Sequence, residues 1–340
     1  MGRSLSDLVV FIAKRMVQLA LVLFGAIVVT FVVSHLSVSN PCLTWIGPHA
    51  GKLAYQHCVS YFGLGQPIYI QLYHYLLTLL TGNWGIDQVN QQPVLGLIAQ
   101  YFPATFELVI AALILMIVVG IPLGVIAANS NGRWADHLVR VFYLSGWAVP
   151  TYLGGLLLAI LVAPALHIAP TGAFTGTPPF PQRTHMSVVD ALLAGNLPWT
   201  VDALEHLALP AVALAFFNLG IATRMTRASM LEVLPMEYVR TARMKGLKEF
   251  MVLYKHALRN ALITTVTVLG LTAGYLLSGT VVIEEIFQWP GIGYYAYESI
   301  ESYDFTGVVG TVIVFAIGVV VANLAADILY GVLDPRVEWR

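Results

Sequence analysis

Apolar positions in this chain gather into long unbroken runs, unlike the alternating or 3.6-period stripes of half-buried strands and helices. Six runs approach or exceed the roughly 20 residues a helix needs to cross a hydrocarbon core: Ile12 to Leu36, Ala104 to Ala127, Val139 to Leu166, Leu207 to Thr223, Leu262 to Ile283 and Val308 to Val332. The fourth is the shortest and is interrupted by Asn218; Pro210 reads as part of its first turn, where a missing N–H costs little. The pattern predicts an all-α membrane protein with six transmembrane helices.

Polar and punctuated stretches divide the runs. Residues 1–36 form an N-terminal segment and first helix, 37–103 a long loop region, 104–332 a core of five helices, and 333–340 a tail. Within 37–103, the stretch Gln66 to Leu77 has the pattern of an amphipathic helix lying at the membrane interface. The insert 167–206 carries Pro170, Pro178, Pro179, Pro181 and Pro198 and is expected to be irregular. The loop 224–260 is basic and rich in helix formers.

Composition agrees with lipid as the solvent. Of 340 residues, 58% are hydrophobic and 10% charged, against about a quarter charged in an average soluble domain. A net charge of -1 leaves no basic footprint for nucleic acid. The stretch Met16 to Val33 behind Arg3, Lys14 and Arg15 is too long for a signal-peptide core and lacks a small-x-small site, so it reads as a signal-anchor first helix. Placing the N-terminus in the cytoplasm puts every one of the 17 Lys and Arg except Lys52 and Arg183 on the cytoplasmic side. Both termini are therefore expected in the cytoplasm, with 37–103 and 167–206 outside.

Catalytic signatures are missing. There is no GxxxxGK[ST] loop for phosphates; Gly47 to Leu53 has its glycines one residue too close and no Ser or Thr. No HExxH, GxSxG or Cys/His ligand spacing falls in a span. Cys42 and Cys58 share the first external loop with His49, His57 and His74. They are read as a possible disulfide or as two free thiols, and the histidines as solvated side chains before a metal site. Asp327, in the inner half of the last span, is close enough to its end to reach headgroups or a basic residue, a structural role. The scarcity of other buried carboxylates argues against a proton-coupled carrier. Gly120, Pro122 and Gly124, Pro150, and Gly270 with Gly274 are expected to mark close helix packing or kinks around a cavity.

The most informative stretch runs from Glu237 to Ala261. Helix formers flank Gly246, which can take positive φ and end a first short helix, while a second runs into the fifth span. Tyr238, Ala242 and Leu247 read as a small apolar surface framed by Arg240, Arg243 and Lys245. Taken alone, the stretch also fits a basic loop lying on anionic lipid.

These residues resemble the membrane subunits of ATP-binding-cassette importers that depend on a solute-binding protein, in the dipeptide, oligopeptide and nickel branch. Glu237 to Ala261 is similar to that branch's EAA loop, with Arg240-Thr241-Ala242 in place of Glu-Ala-Ala and Gly246 as its glycine. Tyr61 to Pro67, Pro103 to Leu108, Gly120 to Ala127, Phe287 to Gly293 and Leu333 to Arg336 resemble branch features in the expected order. Thr264 departs, standing where the branch commonly has proline. The resemblance implies a type I importer permease fold in the plasma membrane of a prokaryote. Its coupling helix, formed around Glu237, Tyr238, Arg240, Thr241, Ala242, Arg243, Lys245, Gly246 and Leu247, would dock on an ATPase. It implies as partners a second homologous permease, two cytoplasmic ATPases that carry the ATP and Mg, and an external solute-binding protein, with no cofactor in this chain. Di- or oligopeptides are the implied cargo, with oligosaccharides or nickel as alternatives and a passive channel as a distant one.

Overall fold

The computed structural model describes residues 5–37, 51–87, 89–166 and 171–333. Cys42 lies outside them, so the pairing with Cys58 falls outside the described residues, as does the Leu333 to Arg336 motif beyond its first residue. The helices, in chain order, are α1 (Leu5–Ser37), α2 (Lys52–Phe62), α3 (Ile68–Leu80), α4 (Val94–Asn129), α5 (Trp134–Ala148), α6 (Thr151–Leu166) and α7 (Ser187–Leu193). They continue as α8 (Leu197–Val233), α9 (Glu237–Met244), α10 (Glu249–Gly279), α11 (Val281–Phe287), α12 (Ile292–Glu301) and α13 (Phe305–Leu333). Among the described residues, β structure is limited to one bridge between Ile86 and Pro93.

Five helices, α1, α4, α8, α10 and α13, are long and apolar enough to span a membrane, and α5 with α6 makes a sixth, broken span bent by 99°. The break falls at Val149-Pro150. Val149 is extended, at φ -95 and ψ 128, because a following proline ring disfavours the helical conformation. Pro122 and Pro164 are absorbed without a break by a local widening of the helix. They lie just beyond the π-helical turns Met116–Gly120 and Leu158–Val162, wider turns of the kind that accommodate a lost i to i-4 bond.

The fourth apolar run looked weakest, yet α8 is the centre of the bundle. It is 37 residues long, most of its span is buried, and it packs on α4, α5, α7 and α10. A helix enclosed by protein needs less hydropathy than one facing lipid, which is why sequence hydropathy understated it. It also begins at Leu197, so Pro210 lies in its interior and not in its first turn, and 197–206 of the insert read as irregular is helical. The missing signal was the polar stretch Asp202, Glu205 and His206. Asp202 accepts the Thr175 amide at 2.9 Å and the Thr175 hydroxyl, while Phe174, Phe180 and Trp199 meet edge to face. These contacts tie the proline-rich segment to α8.

Around this centre, α10 packs on α13, and α13 carries α1 on its outer side. Two glycine pairs set the approach of these helices. A Cβ on Gly120 or Gly124 would lie 2.9 Å from Ala222 Cβ or 2.6 Å from Thr226 Cβ, and on Gly270 or Gly274 2.8 Å from Ala326 Cβ or 2.9 Å from Ala322 Cβ. All four are packing glycines in the small-residue sense. Asp327 forms an ion pair with Arg15 that ties α13 to α1, the structural role its position suggested. Helix α3 lays Tyr75, Leu76 and Leu79 against Ile27, Val309 and Ile313.

Candidate functional site

The segment from Glu237 to Ala261 is built as two helices around one glycine. Met236 is extended at φ -67 and ψ 146, and α9 follows from Glu237. The Thr241 hydroxyl donates to the Glu237 carbonyl at 2.9 Å, and Arg240 reaches the Glu237 carboxylate at 3.3 Å. The helix stops at Gly246, whose φ of +74 only glycine adopts freely; its N–H closes on the Arg243 carbonyl at 2.9 Å. Arg243 then bridges the break to Glu249 at 2.8 Å, and the carboxylate beside it raises the Arg243 pKa.

One side of α9 faces inward. Val239 and Ala242 are buried in the main core with Val252, Leu253 and Ala257 of α10, and Asn260 donates to the Tyr238 hydroxyl at 2.7 Å. Helix α9 thus packs on α10, which in turn packs on α8 and α13. The apolar surface expected from Tyr238, Ala242 and Leu247 is corrected here. Ala242 points inward because residues 239 and 242 share a helix face, and Leu247 is partly buried. The outward apolar surface is instead Met236, Tyr238, Met244, Phe250 and Met251, framed by Arg240, Arg243 and Lys245. Its sequence signal was the concentration of methionines around a basic helix.

A second feature lies at the broken span. Pro150, Trp147, Phe217, Asn218, Tyr275 and Gly279 line a cavity of about 580 Å³, within the range of small-molecule sites. Pro150 thus shapes a cavity wall as well as a kink. Asn218, which interrupted the fourth run, uses its Nδ2 to donate to the Leu214 carbonyl at 2.8 Å and leaves α8 unbroken.

A third joins two motifs far apart in sequence, Pro103 to Leu108 and Phe287 to Gly293. Trp289, fully buried, donates its indole N–H to the Ala104 carbonyl at 2.9 Å. Thr105 donates to Glu284 at 2.7 Å and accepts the Ile292 N–H at 2.7 Å. Glu284 also accepts the Gly293 and Tyr294 N–H groups at 2.7 and 3.1 Å. Glu107 does the same for α7, accepting from the Ser187 and Val188 amides at 2.8 and 3.0 Å. Buried carboxylates are therefore more numerous than the sequence reading allowed. Asp136 is another, held by Arg227 at 2.8 Å and Arg140 at 3.2 Å. Each neutralises a helix N-terminus or an arginine.

At the end of the bundle where α12 meets α13, Asp87 and Asp304 are buried together and share a hydrogen bond. Tyr295 donates its hydroxyl to Asp87 at 2.8 Å. Burial, then the neighbouring Asp87, pushes Asp304 up to about 7. Asp87 is pulled up by burial, but hydrogen bonds from Asn90, Asp304 and Tyr295 outweigh that and hold it below the usual range. A raised carboxyl pKa stabilises the fold below the unfolded value near 4, a contribution lost as pH rises through the folded value. Hydrogen exchange of the 85–94 loop is therefore expected to accelerate, beyond its intrinsic pH dependence, between about pH 4 and about pH 7. Asp304→Asn should flatten that rise; a profile unchanged by the substitution would exclude the shared proton.

The bundle has the fold of an importer permease. It matches a permease chain of the MetNI methionine ABC transporter in an inward-facing conformation with a TM-score of 0.55 at 14% identity, covering 71% of this chain and 97% of that one. Residues 120–339 match the family of binding-protein-dependent transport system inner membrane components, and the chain belongs to that family. It is 40% identical to the probable D,D-dipeptide transport system permease protein DdpB of Escherichia coli K12, over 95% of this chain and 96% of the relative. It is 36% identical to the dipeptide transport system permease protein DppB of Alkalihalophilus pseudofirmus, over 96% and 98%, and 31% identical to a glutathione transport system permease protein of Escherichia coli O1:K1, over 97% and 99%. The chain is thus a multi-pass inner-membrane transport subunit working with binding-protein and ATPase partners, and ATP hydrolysis resides on those separate subunits.

Proposed function

We propose that this chain pairs with a second, homologous permease to form a path for dipeptides, and that α9 is the lever through which two cytoplasmic ATPases drive it. The observation that carries the coupling role is the two-faced geometry of α9: Val239 and Ala242 are seated in the bundle core, while Tyr238, Met244 and the basic residues project outward. A groove on an ATPase would take that outward surface. Nucleotide-driven closure of the ATPases would then shift α9 and α10 together and rock the bundle about the cavity at Pro150. This requires α9 and both termini to be cytoplasmic, the orientation that the distribution of Lys and Arg favours. The 37–103 and 171–196 segments would face the solute-binding protein. Dipeptide cargo is supported by near-full-length similarity to permeases named for dipeptides.

The test is uptake by liposomes holding the complete importer, with its binding protein added outside. Labelled dipeptide should accumulate with ATP inside and be insensitive to excess oligosaccharide or Ni²⁺. Accumulation of either competitor in place of the dipeptide would replace the cargo assignment, and uptake without ATP would remove the importer reading.

A further inference from the structure

The cavity at the broken span has an unusual charge pattern. None of its lining side chains is charged, yet Arg224, itself outside the lining, rests on one of the wall residues, with its guanidinium carbon 5.2 Å from the centre of the Trp147 ring. Arg224 follows Phe217 and Ile221 on one stripe of α8, at i, i+4 and i+7, toward the end that leads into α9. The other arginines of α5 and α8 are committed: Arg140 and Arg227 both bind Asp136. Arg224 is exposed and makes no ion pair among the described residues. A guanidinium resting on an indole face is held only loosely, and a carboxylate can draw it away into a charge-assisted, two-point hydrogen bond. Six residues earlier on α8, Asn218 spends an N–H on the Leu214 carbonyl. Its Oδ1 accepts no hydrogen bond among the described residues, so it remains as an acceptor on the cavity wall.

We propose that Arg224 and Asn218 are the two polar anchors of a peptide site in this cavity, Arg224 receiving the C-terminal carboxylate and Asn218 Oδ1 an N–H of the peptide or its terminal ammonium. This rests on the dipeptide reading above and names the groups that would act on such a cargo. The spacing fits: six residues of α8 rise about 9 Å, and two extended residues span about 7 Å. The apolar and aromatic wall between the anchors, Phe217, Trp147 and Tyr275, leaves side-chain identity loosely read. Selection would then rest on the charged ends that every short peptide shares.

The experiment is saturation-transfer NMR on the purified membrane complex without binding protein, using D-alanyl-D-alanine and its C-terminal amide as probes. The free acid is expected to bind more tightly than the amide. Arg224→Gln should weaken the acid about tenfold and leave the amide unchanged, while Arg224→Lys keeps most of the affinity for the acid. Asn218→Leu should weaken both. Equal affinity for acid and amide in the unaltered complex would overturn the proposal, since Arg224 would then face only solvent or lipid headgroups. Loss of both probes with Arg224→Gln would mark a structural residue and overturn it too. Dipeptide uptake by the complete importer separates the two readings. If uptake is present and Arg224→Gln is silent, only the anchor assignment falls; if the unaltered importer moves no dipeptide, the cargo reading itself fails.

Discussion

Gly246→Pro is expected to reduce uptake to background while the protein still inserts and assembles with its partners. The position requires φ near +74, and proline is fixed near -65°, so the turn that ends α9 cannot form. Proline also lacks the N–H that Gly246 donates to the Arg243 carbonyl, whereas for residues that keep it the cost is conformational alone, because a Cβ at Gly246 would meet nothing within 4 Å. That makes a graded series informative. Gly246→Asn should stay close to the unaltered protein, since asparagine tolerates the left-handed region. Gly246→Ala should lose part of its activity at a strain of about 1–2 kcal/mol. Thr241→Asp, which plants a negative charge on the basic outward face of α9, should abolish uptake without altering the turn. The readouts are ATP-driven uptake and the ATP hydrolysis elicited by loaded binding protein, with membrane level as control. Normal uptake with both Gly246→Pro and Thr241→Asp would rule out α9 as the coupling element.

How much of this was legible beforehand depends on whether a property was local. The break at Gly246 needed only the residues around it, and the kink at Pro150 and the close-packing role of Gly270 and Gly274 likewise follow from local chemistry. Helix α8 was misjudged because hydropathy measures affinity for lipid, whereas this helix is solvated by its neighbours. Its start was misplaced because Asp202, polar in sequence, is satisfied by Thr175 of the preceding loop, and His206 by the Asp202 carbonyl one turn earlier on the same helix. The inward turn of Ala242 follows from helical periodicity, since Val239, three residues earlier, shares its face. The carboxylates Glu107 and Glu284 were not readable as caps: their partners are helix N-termini many residues away. Glu284, inside Val281 to Phe287, carried only the signal that an acid in an apolar run needs a donor.

That donor set makes Glu284→Ala the substitution expected to cost the most stability. Glu284 is fully buried and accepts hydrogen bonds from Thr105, Gly293 and Tyr294. Gly293 and Tyr294 begin α12, where N–H groups have no intrahelical partner. Truncation to alanine strands these donors where water does not reach, at about 1–3 kcal/mol for each unsatisfied group. Part of this is recovered by relaxation, for a net loss on the order of 3–5 kcal/mol. Glutamine keeps one acceptor oxygen but turns an NH₂ toward a donor, so Glu284→Gln should fall between. The glycines of the motif share the constraint. A Cβ on Gly291 would collide with Glu284 and Thr105, and one on Gly293 would lie 2.6 Å from the Val281 Cα, so Gly291→Ala should resemble Glu284→Ala. Trp289, buried beside this knot, makes tryptophan fluorescence a direct monitor of thermal unfolding in detergent. The expected order of midpoints is unaltered protein, Glu284→Gln, then Glu284→Ala. A midpoint for Glu284→Ala indistinguishable from the unaltered protein would mean that water reaches these amides and that the knot is not closed. In the expected case, the same two motifs that lie nearly two hundred residues apart in sequence act as one clamp, fixing α4, α11 and α12 as a rigid end against which the α9 side of the bundle can move.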